Sequence, residues 1–110
     1  MNDVYKLLEQ IQERPLSILL EKSLQFLFQY LRGYLRGVYK YNPEAVEFFN
    51  EFQKYVQNHY RVTYSPASWD FMISERSKDQ DEAFKIFFKL INDYIVETTG
   101  KNLEENANLE

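Results

Sequence analysis

Cysteine is absent from these 110 residues, which removes thiolate nucleophiles, Cys-ligated zinc, iron-sulfur clusters and disulfide scaffolds. His59 is the only histidine, so neither a two-histidine metal site nor a histidine relay can be built within one chain. Three glycines and three prolines are too few for the many tight turns of a small β-protein and point to long regular elements. Long apolar runs are missing as well: no stretch approaches the ~18 uncharged apolar residues of a membrane-crossing helix. The start, Met1-Asn2-Asp3-Val4-Tyr5-Lys6, lacks the basic and apolar regions of a secretion signal. These absences set the expectation of a soluble, cytoplasmic protein that does not contact membranes. A basic excess is also lacking, since 13 Lys and Arg face 17 Asp and Glu for a net charge of -4. With no zinc finger and no glycine-aromatic RNA-binding motif, nucleic acid is not an expected partner.

Catalytic and cofactor signatures are similarly thin. No G-x-x-x-x-G-K-[ST] or G-x-G-x-x-G pattern offers a phosphate cradle. Ser68, His59 and Asp70 supply the residue types of a triad, yet no nucleophile-elbow glycines flank Ser68, which is better placed as a helix cap. His59 falls at a helix end, where it meets the negative end of the dipole. Glu44, Glu47 and Glu51 share one helix side, but helical metal sites pair Glu with Glu-x-x-His, a pattern that is missing. No enzyme activity, cofactor or metal is expected.

What is present is helical periodicity. Val4, Leu7, Leu8 and Ile11 stand at i, i+3, i+4 and i+7, with Asn2 or Asp3 to cap and Pro15 beyond, predicting a helix over about 3–13. Leu24, Leu27, Phe28, Leu31, Leu35 and Val38 predict a second helix from near Ser23 to near Tyr39. It carries another stripe, Phe26, Tyr30, Gly33 and Gly37, which suggests a central helix whose glycines admit a neighbour. Asn42-Pro43-Glu44 opens a third helix that ends near His59, with Ala45, Phe49, Phe52 and Val56 inward. Residues 61–68 read as an extended connection, after which Ser65 or Ser68 caps a short helix holding Trp69, Met72 and Ile73. Phe84, Phe87, Phe88, Ile91, Tyr94 and Ile95 predict a last helix from about Asp79 or Gln80 to Thr98, closed by Gly100. The fold class is therefore all-α: a compact single-domain bundle of four to five helices over residues 1–100, with room for one short extended segment near 16–20 or 61–65. Residues 101–110 are polar and aperiodic and read as a disordered acidic tail, Leu109-Glu110 as a cloning remnant.

Aromatic residues are plentiful, nine Tyr, nine Phe and one Trp. Most Phe fall on the helical stripes and belong to the core, whereas Tyr30, Tyr34, Tyr39, Tyr41 and Tyr55 cluster on or between the second and third helices. Tyrosine is enriched in binding hot spots. Arg32, Arg36 and Lys40 form a basic row on the second helix. The whole acidic excess lies in residues 56–110, with 6 basic against 10 acidic residues, the first half being balanced at 7 and 7.

Arg14-Pro15, Ser23-Leu24, Phe28, Gly33-Tyr34, Phe48-Phe49, Phe52, Tyr60, Ser68-Trp69 and Glu82-Ala83-Phe84 with Phe87-Phe88-Lys89-Leu90 together give a pattern that resembles a family of small bacterial proteins. Its members have an R-P turn, a long helix ending in G-Y, an S-W segment and an E-A-F-x-x-F-F helix, and the resemblance covers about residues 11–95. The chain departs at Pro15-Leu16-Ser17-Ile18-Leu19, where the family often reads R-P-G-M-Y-x-G. The resemblance implies a shared fold and an immunity-like role toward polymorphic toxins. The expected function is non-enzymatic occlusion of a basic protein, such as a toxin domain. Its binding residues would be Tyr30, Tyr34, Arg36, Trp69, Asp70, Asp79, Asp81 and Glu82, with Glu75 adding to the acidic side, while Trp69 with Phe84, Phe87 and Phe88 also reads as a set of packing anchors. The alternative is a homo-oligomeric structural or regulatory module that self-associates through the second face of helix two.

Overall fold

A computed structural model describes residues 1–63 and 67–109. Among them six α-helices follow one another: α1 (Asn2–Glu13), α2 (Leu24–Val38), α3 (Pro43–His59), α4 (Trp69–Glu75), α5 (Gln80–Thr99) and α6 (Leu103–Ala107), with no strand. The segment near 16–20, expected as helix, strand or loop, contains a single 3-10 turn, Pro15–Ser17. The Ser65 cap and part of the extended connection at 61–65 fall outside the described residues.

Local chemistry sets most of the boundaries. The Ser23 hydroxyl accepts the Phe26 N–H at 3.1 Å and starts α2. Asp79 does the same for α5, accepting the Glu82 N–H at 2.8 Å, while Glu82 reaches back to the Lys78 N–H at 2.8 Å. Gly100 ends α5 at φ 81°, the left-handed conformation that glycine adopts without a Cβ clash, and its N–H returns to the Val96 carbonyl. At the end of α3 the same left-handed turn is taken by Arg61, φ 57°. There the Val62 N–H bonds the Gln57 carbonyl and the Arg61 N–H bonds the Asn58 carbonyl, the pair of bonds of a Schellman turn.

Around α5 the core closes. This helix buries Ala83, Phe84, Phe87, Phe88, Leu90, Ile91, Tyr94 and Ile95, and α2, α3 and α4 pack on it. The central position expected for α2 belongs to α5. Only one stripe of α2 is buried, Leu24, Leu27 and Leu31; a Cβ added at Gly33 or Gly37 would meet nothing within 4 Å. Among the described residues the close neighbour expected at those glycines is absent. The radius of gyration, 13.4 Å, matches the ~13 Å of a compact chain of this length.

The largest correction concerns residues 101–110. Instead of a disordered tail they form α6, whose Asn102 and Glu105 side chains cap each other's backbone N–H groups. Leu103 and Ala107 are buried and α6 packs against α1. Asn106, also buried, donates to Thr99 Oγ1 and to the carbonyls of Lys101 and Asn102, so its burial leaves the amide nitrogen satisfied.

Candidate protein-interaction surface

The eight residues singled out in the sequence do not form one surface. Trp69 is 6% exposed. Its indole stacks on Phe87 with centroids 5.0 Å apart and meets Phe28 at 5.1 Å and Phe52 at 5.4 Å edge-on. Such a side chain anchors α4 into the core and has no face to offer a partner. This burial agrees with its reading as a packing anchor and leaves little of the ring for the partner contact also expected of it.

The acids beside it serve their own helices. Asp70 accepts a hydrogen bond from the Ser68 hydroxyl, and no hydrogen bond joins His59 to either; the His59 ring lies edge-on to Tyr60 at 4.8 Å. Asp79 and Glu82 cap α5. Asp81 pairs with Lys85 at 3.2 Å and Lys22 at 3.4 Å, and the hydrogen bond from Lys85, joined by that from Lys22, holds its carboxyl below the ordinary aspartate range. Most of the charge expected for steering on this side is thus committed to caps and pairs.

On α2 the residues do come together. Tyr30 is 38% exposed, Tyr34 is half-buried, and Tyr41, in the turn after the helix, is 77% exposed. Burial raises the Tyr34 hydroxyl pKa above its usual 10.0, and the charge of Asp3 on α1 together with Tyr30 and Tyr41 adds to the rise. Arg36 is exposed and makes no ion pair among the described residues; Arg32 lies 5.9 Å from the Phe28 ring.

A second grouping, not singled out in the sequence, joins α1, α3 and α5, with Tyr5 and Tyr55 half-buried over the buried Phe48 and Tyr94. Tyr5 meets Phe48 edge-on at 6.0 Å, and Tyr94 lies 5.4 Å from Phe48 and 5.3 Å from Tyr55. Carboxylates surround these rings. Burial raises the hydroxyl pKa of all three, with further rises from Glu44 at Tyr5, from Glu51 and Glu47 at Tyr94, and from Asp93 and Glu97 at Tyr55. Lys54 pairs with Glu51 at 3.0 Å and Lys89 with Asp93 at 3.4 Å. Among the described residues Glu44, Glu47 and Glu97 have no ion-pair partner. No single-helix pattern reveals this grouping, because its members come from three helices; the i, i+3, i+7 spacing of Glu44, Glu47 and Glu51 was the only visible trace.

Nothing here converges on a metal: no group of three or more His, Asp or Glu side chains among the described residues forms a cluster able to hold an ion. Among the described residues no helix is long and apolar enough to cross a membrane. Comparison with family models, with curated proteins and with solved structures found no match.

Proposed function

We propose that the domain is a non-enzymatic protein-binding module that occludes a basic partner through the acidic, tyrosine-rich face of α1, α3 and α5. One observation carries the reading: the half-buried Tyr5 and Tyr55, packed around the buried Phe48 and Tyr94, stand among five carboxylates from two helices, three of which have no ion-pair partner among the described residues. Unpaired surface acids in a chain of net charge -4 raise the rate of encounter with a cationic surface. Tyrosines, amphipathic and ordered by only two torsions, lengthen the life of the complex. The family resemblance supplies the partner class, a basic toxin domain met in the cytoplasm and blocked by coverage of its working surface. This face takes over the role that the sequence assigned to Asp70, Asp79, Asp81 and Glu82.

The test is capture of partners from a bacterial lysate with the tagged protein, at low and high salt, beside a variant carrying Glu44→Lys, Glu47→Lys and Glu97→Lys. The expected result is one stoichiometric basic protein bound by the natural sequence at low salt, released by high salt and lost with the variant. Inhibition of that protein's activity by the purified domain completes the assignment. Recovery of the bait alone overturns it.

The homo-oligomeric reading is favoured by a different observation, the open glycines of α2.

A further inference from the structure

Gly33 and Gly37 lie inside α2 at ordinary helical φ, where each weakens the helix relative to alanine. Among the described residues nothing uses their lack of a side chain, because a Cβ at either would meet no atom within 4 Å. The two glycines form the centre line of an exposed ridge. At 100° per residue, Tyr30 and Tyr34 lie on one flank of that line and Arg32 and Arg36 on the other. The helix has no acidic residue of its own. Asp3 of α1 supplies a carboxylate beyond the tyrosine flank, close enough to act on the Tyr34 hydroxyl. The ridge therefore has a cationic side, a flat middle, and an aromatic side edged by a negative charge.

We propose that this ridge is the contact surface of a two-fold homodimer, in which α2 of one copy lies parallel to α2 of the second with the glycines at the crossing. Symmetry selects the orientation. A two-fold axis running along the helices exchanges the flanks, so that Arg36 of each copy faces Tyr30, Tyr34 and Asp3 of the other. An axis perpendicular to the helices sets arginine against arginine. Only the parallel arrangement satisfies charge complementarity, and it does so twice because the contact is isologous. Guanidinium over a tyrosine face adds a cation-π contact, and a carboxylate at the edge of the ring adds an ion pair. The glycines then have a purpose, letting two helix backbones approach so that the flanks meet. One helical ridge buries little area, which places the dimer among weak, concentration-dependent complexes.

Sedimentation equilibrium from about 10 µM to about 1 mM protein reads the proposal directly, since mass action governs the dimer fraction. The natural sequence is expected to rise from the mass of one chain to that of two and no further. Gly33→Leu with Gly37→Leu fills the middle of the ridge; this variant is expected to keep its helical circular dichroism and to melt no lower than the natural sequence, since leucine is the better helix former, yet remain at one chain's mass throughout. Arg36→Glu is expected to abolish the dimer, and Asp3→Arg added to Arg36→Glu to restore it by exchanging the charges. The proposal is overturned if the natural sequence stays at one chain's mass across the range, if it grows beyond two chains, or if the leucine variant associates unchanged. Failure of the charge exchange to restore the dimer overturns the parallel arrangement.

Discussion

The side-chain oxygen of Asn92, in the middle of α5, accepts the backbone N–H of Leu103 at 2.8 Å, so the first turn of α6 is fastened to the central helix by one amide. That N–H belongs to the first turn of a helix and has no partner within it. Asn92→Ala leaves the group unsatisfied where Leu103 is buried, and a loss of about 1–3 kcal/mol is expected. Urea denaturation gives the magnitude. Hydrogen exchange gives the location, because the amides of 103–107 should lose protection before those of α5.

Trp69→Ala is expected to destabilise by about 3–5 kcal/mol, the range for an emptied aromatic site in a core. Trp69→Phe should lose much less. If Trp69 instead contacted a partner, thermal unfolding would shift little and binding would fall, so a melting curve of the isolated variant separates the two roles.

The capping role of Asp79 and the steering role once expected of it lead to opposite results. Asp79→Asn keeps an oxygen for the Glu82 N–H and removes the charge, whereas Asp79→Ala removes both. Asparagine is expected to leave stability within a few tenths of a kcal/mol and alanine to cost about 0.5–2 kcal/mol, following the preference of helix N-caps. Chemical denaturation of the pair checks this ranking.

Alkaline pH should be the weak side of the domain. Tyr5, Tyr34, Tyr55, Tyr60 and Tyr94 all have hydroxyl pKa values raised above 10.0, in each case chiefly by burial. The folded state holds these protons more tightly than the unfolded one, so their contribution is complete below about pH 10 and is lost as pH rises through the folded values. Denaturant midpoints measured from pH 8 to pH 12 should be level at first and then fall. Tyr94→Phe with Tyr55→Phe should make that fall shallower, and an unchanged slope would count against the burial of these hydroxyls.

Arg61 stands in a left-handed conformation that glycine fills at the end of α5. Arg61→Gly relieves a Cβ clash worth about 1 kcal/mol while giving back some unfolded-state entropy. A net gain in stability of a few tenths to about 1 kcal/mol is expected, read as a higher denaturant midpoint.

Helices α1 to α5 were legible in the sequence because their apolar residues repeat every three or four positions and because Ser23, Pro43, Asp79 and Gly100 mark their ends. Helix α6 has five residues, too short for a period to show, and its order comes from contacts with α1 and α5 that no local pattern records. Its one readable sign was Asn102 followed three positions later by Glu105, a capping box. Trp69 read both as a packing anchor and as a partner contact because aromatic enrichment in hot spots says nothing about which side of a helix is covered, and its burial agrees with the anchor. The grouping of Tyr5, Tyr55 and Tyr94 was invisible since it exists only once three helices meet.

The pairing of α1 with α6 joins segments about a hundred positions apart in a chain of 110 residues. Closing so long a loop is entropically unfavourable and forms slowly compared with contacts between neighbouring helices. During synthesis, which runs from the amino terminus, α1 emerges before the other five helices and α6, which covers it, after them. Val4, Leu8 and Ile11 therefore wait, with part of their apolar stripe uncovered, until α6 has left the ribosome. Of these six helices the first made is among the last to be completed, and the interval between the two leaves its apolar stripe open to aggregation or to chaperone capture.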